Sequence, residues 1–197
     1  MKFQQTYLTK LKIKEKFGKL DVLINNAGVM TNIGRQADIP VDEYLRIMDV
    51  NLNGAWYTLK YGVKLIEEGG SGGRVVNVSS LGFNSLLQLN SHLLLLKLLQ
   101  LVVNLIESAC GISGVVYKAG ASHYGTSKWG LCGLTKIMAL EYAPNKIRIN
   151  AIAPTGTETE MIKKYIETSP DPEATKAQIA ESNPLVGPGL KWVFELE

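Results

Sequence analysis

A tyrosine and a lysine four positions apart form the pair with the clearest chemical potential in the chain. Tyr124 and Lys128 lie in the run Tyr-Gly-Thr-Ser-Lys, and on a helix that spacing places both side chains on one face. A phenol ordinarily ionises near about pH 10, and a neighbouring ammonium favours the phenolate and so lowers the pKa. The pair therefore predicts a general acid/base that moves a hydroxyl proton near neutral pH. An ordinary surface pair has the same spacing, so the pattern alone leaves both interpretations open.

Three further polar motifs fall where a ligand could reach them. Asn25-Asn26-Ala27-Gly28 follows an apolar run, at the strand end where α/β folds bind ligands. Asn51 interrupts a helical stretch, and asparagine is a mediocre helix former, so we expect either a side-chain role or an exposed neutral position. Ser79 and Ser80 end a second apolar strand, where a hydroxyl can donate to a substrate oxygen.

The spacing of apolar residues predicts the helices and strands that position these residues. Apolar residues recur at three and four positions in the helical segments, whereas the strand segments are β-branched and apolar on both faces. Gly18 is expected to end the first helix, and Ser122 is a candidate N-cap of the third. Strands that alternate with helices predict an α/β fold with a parallel sheet. The predicted helices cover 4–17, 41–67, 122–142 and 170–182, and the predicted strands cover 20–25, 74–80 and 147–152.

The order of the motifs resembles the classical subgroup of the short-chain dehydrogenases/reductases. The resemblance rests on Asn-Asn-Ala-Gly, then Val-Asn at 50–51, a strand ending in Ser-Ser, Tyr-x-x-x-Lys, and Ile-Arg-Ile-Asn-Ala-Ile-Ala-Pro ending at Pro154. It covers residues 18–80 and 112–163. It implies a Rossmann-like doubly wound parallel sheet and an oxidoreductase that passes hydride between NAD or NADP and an alcohol or carbonyl.

The resemblance also implies catalytic roles for four residues. Tyr124 would be the catalytic acid/base, and Lys128 would lower its pKa and hold the nicotinamide ribose. Ser80 would hydrogen-bond the substrate oxygen. Asn51 would hold a water that links Lys128 to solvent.

Further residues would line the cofactor. Asn25, Ala27 and Gly28 would lie on its adenosine-ribose side. Thr159, in the Pro-x-x-x-x-Thr-x-Met pattern that starts at Pro154, would lie beside the nicotinamide carboxamide or the phosphates. The resemblance also implies a homo-oligomer built through the helices that carry Asn51 and Tyr124.

The sequence departs from the family pattern in its phosphate-binding part and at its ends. No glycine-rich strand–turn–helix precedes Asn25, and the glycine cluster at 69–73 comes before a strand, where it reads as a loop. We therefore expect an incomplete fold in which residues 1–17 resemble the last helix of a missing first portion. The final strand also has no counterpart at 186–197, and Pro154-Thr155-Gly156 replaces the usual Pro-Gly. The residue that distinguishes NAD from NADP in the family belongs to this missing first portion, so either cofactor is expected.

An anomalous segment at 81–111 separates Ser80 from Tyr124 by 44 positions, and joining Ser80 to Ile112 restores the family spacing. Its leucine-rich part suggests translated non-coding sequence such as a retained intron, which the sequence of the mature transcript would test. A true insertion that forms a lid or a partner-binding hairpin is the alternative. Membrane attachment through 86–106 is a third interpretation, but its polar residues make it a poor membrane span.

Composition narrows the partners without identifying a substrate. A chain of 197 residues predicts a single domain, and a net charge of +3 does not favour nucleic acid as a partner. Cys110 and Cys132 lack metal or redox spacing, which favours reduced thiols and a cytoplasmic location, although the basic first twenty residues leave an organelle open. A small alcohol, sugar, steroid or acyl carbonyl fits equally well. A non-catalytic fragment that acts only by protein association is the second functional hypothesis.

Overall fold

The chain forms two compact units in the computed structural model, which describes residues 2–30, 34–80, 120–154 and 159–181. The first unit contains residues 1–79 and 120–153, and the second contains residues 80–119 and 154–197. The first unit holds a sheet, most of the helices and most of the predicted site.

The sheet of the first unit has three parallel strands in the order β1-β2-β3. They are β1 Val22–Asn25, β2 Gly73–Val78 and β3 Ile147–Ile152. Asn25 lies opposite Asn77, and Asn77 lies opposite Ala151. Parallel strands need crossover connections, and here the helices supply them. The predicted α/β fold with a parallel sheet is confirmed, in the incomplete form that the sequence indicates.

Four helices belong to this unit. They are α1 Lys2–Phe17, α2 Val41–Met48, α3 Gly54–Glu68 and α4 Ser122–Tyr142. Gly18 ends α1 with a positive φ of 76°. The prediction of Ser122 as an N-cap is wrong, because Ala121 takes that position without a side-chain cap and Ser122 is already helical.

The helix predicted over 41–67 is one helical path with an irregular turn in it. A π-helix, Asp49–Asn53, joins α2 to α3, and its central residue is Asn51. Such wide turns are rare and often lie at functional sites. Short 3₁₀ turns at Gln36–Asp38 and Ala143–Asn145 complete the described helical elements of this unit.

The core lies between the sheet and two helices. Leu59, Val63 and Ile66 of α3 and Met138 of α4 pack with Val75, Ile147 and Ile149 of the strands. All seven side chains are buried, so α3 and α4 cover this face of the sheet. Burying their apolar area is the main stabilising contribution of the unit.

The opposite face of the sheet is open. Strand alternation places Val22, Ile24, Val76 and Ile152 on it, and Ile24 is 63% exposed while Ile152 is 47% exposed. The sequence interpretation of strands buried on both faces therefore holds for one face only. Parallel sheets are ordinarily covered on both sides.

The second unit is described at Ser80, Pro154 and two helices, α5 Glu160–Glu167 and α6 Pro172–Glu181. The sequence predicted α6 but not α5, whose eight residues are too short for a clear periodic signal. The segments 81–111 and 186–197 and Cys110 lie outside the described residues. Within the described part of the chain, no helix is both long enough and apolar enough to span a membrane.

Candidate active site

The structure brings Tyr124 and Lys128 together on the first turns of α4. The Lys128 Nζ lies 5.7 Å from the centroid of the Tyr124 ring. It donates to the Val78 main-chain oxygen at 3.0 Å, which fixes the ammonium at the carboxyl end of β2. Lys128 is 4% exposed, and this burial lowers its pKa, while the neighbouring Cys132 acts in the opposite direction. An ammonium so placed can hold and polarise a phenol or a ligand hydroxyl.

Gly28 brings the turn after β1 against this ammonium. A Cβ on Gly28 would lie 3.2 Å from the Lys128 Nζ and 3.6 Å from the Asn51 Oδ1. The absence of a side chain therefore lets the turn approach both polar groups closely. The sequence motif of the turn, the lysine and the helix asparagine thus converge on one point.

Asn51 holds this turn and α4 together. It is fully buried; its Oδ1 accepts from the Val29 N–H at 2.8 Å, and its Nδ2 donates to the Val29 oxygen at 2.9 Å. The same Nδ2 donates to the Ser127 Oγ at 3.1 Å, and Ser127 donates to the Tyr124 main-chain oxygen at 2.7 Å. Both amide protons are therefore used within the protein, whereas Oδ1 keeps one lone pair.

Asn25 points into the covered side of the sheet. Its Nδ2 donates to the Asn77 Oδ1 at 3.0 Å and lies 3.4 Å from the Ala55 oxygen. Asn77 in turn donates to the Thr135 Oγ1 at 2.9 Å. This buried chain of amides ties β1 to β2 and to α4, so the Asn25 side chain positions the strand that ends in the turn. Contact of Asn25, the exposed Ala27 and Gly28 with a cofactor stays a prediction.

The two serines at the end of β2 differ in their surroundings. Ser79 is buried, donates to the Lys128 main-chain oxygen at 3.2 Å and lies 3.2 Å from the Cys132 Sγ. Its hydroxyl is therefore committed to α4, which leaves Ser80 as the candidate for a substrate oxygen.

Ser80, Pro154 and Thr159 belong to the second unit, so their predicted roles next to Tyr124 and the cofactor stay predictions. The Thr159 Oγ1 caps α5 by accepting from the Ile162 N–H at 3.3 Å.

Sequence reasoning did not single out two polar side chains of this region. Ser127 links Asn51 to the turn of Tyr124, and Asn77 is the centre of the amide chain; both are fully buried. A signal existed for Asn77, because an amide inside a β-branched strand must find a buried partner. Ser127 lies between Tyr124 and Lys128 in sequence. Its partner Asn51 is 76 positions away, so no local sequence pattern indicated the contact.

The described residues fit the reactive end of a nicotinamide cofactor better than its phosphates. Lys128 and Tyr124 offer a cation and a hydroxyl beside the turn at Gly28. In residues 2–30, 34–80, 120–154 and 159–181, by contrast, no strand runs through a glycine-rich turn into a helix. The glycines at 69–73 instead lead from α3 into β2, as the loop interpretation predicted.

Two models of related families match successive parts of the chain. Residues 7–98 match the family described as enoyl-(acyl carrier protein) reductase, and residues 102–170 match the family described as short chain dehydrogenase. A 3beta-hydroxysteroid dehydrogenase of Mediterraneibacter gnavus is 32% identical over 168 residues, which are 85% of this chain and 48% of that protein.

Solved structures give the same result. NAD+-bound xylitol dehydrogenase superposes with a TM-score of 0.69 at 27% identity, over 94% of this chain and 64% of that one. ElxO with NADP bound superposes with a TM-score of 0.67 at 28% identity, over 94% and 61%.

The chain therefore belongs to the short-chain dehydrogenase/reductase family, as its motif order indicated. It spans about half the length of the relatives that it matches in sequence.

Proposed function

We propose that the chain carries the catalytic part of an NAD(P)-dependent oxidoreductase that interconverts an alcohol and a carbonyl compound. The observation that supports this most is the Lys128 ammonium, which is buried, anchored to the Val78 oxygen and 5.7 Å from the centroid of the Tyr124 ring. A buried cation beside a phenol is the arrangement that a neutral-pH proton transfer to or from a hydroxyl needs.

Each residue of the site has a proposed task. The Tyr124 hydroxyl gives its proton to a carbonyl oxygen during reduction and takes the proton of an alcohol during oxidation. Lys128 stabilises the phenolate and binds the nicotinamide ribose, and Ser80 orients the substrate oxygen. When bound, the cofactor supplies or accepts the hydride.

A proton path from Lys128 to solvent is also part of the proposal. Both amide protons of Asn51 are donated within the protein. A water would therefore donate a hydrogen bond to the Asn51 Oδ1 or to a main-chain carbonyl of the π-helix. The Asn51 Oδ1 and the Lys128 Nζ lie 3.6 Å and 3.2 Å from the position of a Cβ on Gly28, so both groups border the same turn. This proximity supports the proposed link between Asn51 and Lys128.

Either nicotinamide cofactor is compatible with the site. One structural neighbour is described with NAD+ and another with NADP. Because no described turn cradles the phosphates, we propose that the 197-residue chain by itself binds either cofactor weakly. Calorimetric titration with NADH and with NADPH tests this directly, and tight binding of either would contradict it.

The test of the catalytic proposal is Tyr124→Phe. The variant should abolish hydride transfer, followed by absorbance of the reduced nicotinamide, against a panel of a secondary alcohol, a sugar, a hydroxysteroid and an acyl carbonyl compound. Cofactor affinity should stay within about twofold, since the ring remains. Tyr44→Phe, on the exposed side of α2, is the control. Equal turnover by Tyr124→Phe and the parent chain would exclude Tyr124 as the acid/base.

Self-association is a second candidate function, and one surface favours it. Trp129, Gly133, Ile137 and Leu140 form an outward stripe on α4, with Ile137 58% and Leu140 79% exposed. No neighbouring atom lies within 4 Å of a Cβ on Gly133, so a partner helix could approach closely there. We propose a homo-oligomer through this stripe, in which Leu140→Asp lowers the mass measured by light scattering. An unchanged mass would contradict it.

Location in the cytoplasm stays a prediction that rests on the expected reduced state of the cysteines.

A further inference from the structure

Ser79, directly after the last residue of β2, carries a buried hydroxyl that lies against the lysine of the candidate site. It is 4% exposed, and its N–H donates to the Ile152 oxygen at 2.8 Å, which continues the pairing of β2 with β3 beyond Val78. The sheet therefore sets its position. Its Oγ donates to the Lys128 main-chain oxygen at 3.2 Å.

Two consecutive residues thus hold Lys128 at both of its ends. The Val78 oxygen accepts from the Lys128 Nζ at 3.0 Å, and the Ser79 Oγ donates to the Lys128 main-chain oxygen. The first contact fixes the ammonium, and the second fixes the main chain from which the side chain extends. Lysine has a flexible four-carbon stem, so holding both ends restricts where its ammonium can lie.

Cys132 joins this contact from the next turn of α4. It is 3% exposed, and its Sγ lies 3.2 Å from the Ser79 Oγ. A hydroxyl has one proton, and that of Ser79 is donated to the Lys128 oxygen, so the Cys132 S–H is the donor in this contact. Thiol, hydroxyl and carbonyl therefore form one buried chain of hydrogen bonds, in which neighbouring bonds strengthen each other.

These contacts matter because hydrogen bonds, and not a carboxylate, hold the ammonium. Among the described residues no ion pair includes Lys128, and burial lowers its pKa. Two titratable side chains of α4 face it, the Tyr124 phenol and the Cys132 thiol. β2 and the turn after β1 face it with the Val78 oxygen and Gly28, which do not titrate.

We propose that Ser79 is a positioning residue for the Lys128 ammonium. Its hydroxyl holds α4 against the end of β2 at the level of the lysine, which keeps the Nζ beside the Val78 oxygen and the Tyr124 ring. The inference rests on the proposed function, because this position matters for catalysis only if Tyr124 transfers the proton. The two serines then have separate tasks, since Ser79 acts through Lys128 and Ser80 is the candidate for the substrate oxygen.

The first measurement follows Lys128 itself and needs neither cofactor nor turnover. The 197-residue chain is labelled with carbon-13 at the lysine Cε, its NMR signals are titrated with pH, and the Lys128 signal is the one absent from Lys128→Met. Ser79→Ala should move the midpoint of this titration upward, toward the ordinary 10.5, because the loosened contact admits water to the ammonium. Ser79→Thr keeps the hydroxyl and should restore the parent midpoint.

Two further variants separate positioning from a general loosening of the fold and from loss of charge. Thr135→Ala removes another buried hydroxyl between β2 and α4, the one that meets the Asn77 amide at 2.9 Å, and should leave the Lys128 midpoint unchanged. Cys132→Ala keeps the bond from Ser79 to Lys128 but removes a thiol whose ionised form favours the ammonium, so it should move the midpoint downward.

The second measurement is hydride transfer with cofactor at the highest soluble concentration. Ser79→Ala should lower kcat roughly tenfold or more with a smaller change in KM, because an ammonium out of position stabilises the phenolate less. Ser79→Thr should recover most of this loss. Thr135→Ala should keep the parent kcat.

Three results would overturn the inference. They are an unchanged or lowered Lys128 midpoint in Ser79→Ala, an equal rise in Thr135→Ala, and a rise in a folded Ser79→Thr as large as in Ser79→Ala. Should Ser79→Thr not fold, the comparison of Ser79→Ala with Thr135→Ala decides. A parent chain without hydride transfer on any substrate of the panel would contradict the proposed function, whereas the NMR titrations would still show whether Ser79 positions the lysine.

Discussion

The residue that decides the chemistry of this site is a lysine held where a charge is unfavourable. Lys128 is almost fully buried, yet its Nζ has the Val78 oxygen as a fixed acceptor and the Tyr124 ring as a neighbour. Burial without an acidic partner favours the neutral amine. Groups with perturbed ionisation are frequent at active sites, which supports the proposed role of Lys128 beside Tyr124.

The pH dependence of stability should report this burial. Since the pKa of Lys128 is lowered in the folded chain, the unfolded chain binds more protons between the folded value and the ordinary 10.5. Its stability contribution is therefore fully present above the ordinary value and is lost as pH falls through the lowered one. From pH 7 to pH 10 the urea midpoint of the parent chain should rise relative to that of Lys128→Met. Lys64→Met, at an exposed position, is the control, and parallel pH curves for parent and Lys128→Met would contradict the burial argument.

A methyl group at Gly28 should interfere with the proton path. Gly28→Ala places a carbon 3.2 Å from the Lys128 Nζ and 3.6 Å from the Asn51 Oδ1, so the Nζ must shift. We expect kcat to fall roughly tenfold or more with a smaller change in KM, because positioning and proton transfer are affected rather than uniform binding. Gly34→Ala is the matched control, since the nearest atom to its Cβ is 4.0 Å away. An unchanged kcat in Gly28→Ala would contradict a relay that depends on the position of the Lys128 Nζ.

At the scale of elements, the sequence predicted what depends on local pattern and missed what depends on distant partners. The bounds of α4 and β3 agree with the predicted 122–142 and 147–152, because both segments have strong and uninterrupted patterns. Gly28 lies beside Asn51 and Lys128, although the resemblance implied the adenosine-ribose side for Gly28 and the nicotinamide ribose for Lys128; the contacts of all three with a cofactor stay predictions. The π-helix at Asp49–Asn53 and the inward turn of Asn25 could not be predicted, since the partners that hold them are 22 to 76 positions away.

The buried chain of amides between the strands and α4 should contribute to the stability of the fold, although its side chains are polar. Asn77→Val improves β propensity and hydrophobicity, but it leaves Asn25 and Thr135 with unmet hydrogen bonds in the core. We expect the free energy of unfolding to fall by about 1–3 kcal/mol in urea titrations. Adding Thr135→Val should recover part of that loss through coupling. Asn150→Val, on the exposed face of β3, is the control; if it costs as much as Asn77→Val, the chain of amides is not the cause.

The contact between α1 and α3 should be sensitive to acid. The Glu68 carboxylate accepts from Lys14 at 2.7 Å and from Lys10 at 2.9 Å, and these hydrogen bonds lower its pKa from 4.5 to about 2. The stability that it contributes is present above the unfolded value and is lost as pH falls from 4.5 toward 2. Acid titration followed by circular dichroism should therefore show a shallower loss for Glu68→Gln than for the parent chain. Glu15→Gln on α1 should follow the parent curve, and so would Glu68→Gln if the contact were unimportant.

At the scale of the molecule, the first unit has a complete covered side and an open side. The helices that carry Asn51 and Tyr124 lie on the covered side and keep the predicted site in position. The open side exposes the apolar side chains of Val22, Ile24 and Ile152, together with Arg74 and Arg148. The described residues therefore contain the proposed proton-transfer pair, Tyr124 and Lys128, whereas no glycine-rich turn between a strand and a helix lies among them.

Hydrogen exchange should show the asymmetry strand by strand. β2 lies between β1 and β3 and bonds to both, whereas β1 bonds to β2 on one side, so amides of β1 should exchange at least roughly tenfold faster than those of β2. Amides of β3 should exchange faster than those of β2 for the same reason, because β3 also bonds to β2 on one side among the described strands. If β1 were already as protected as β2, its outward edge would be paired in the chain, and the exposed edge that the sheet order indicates would not exist.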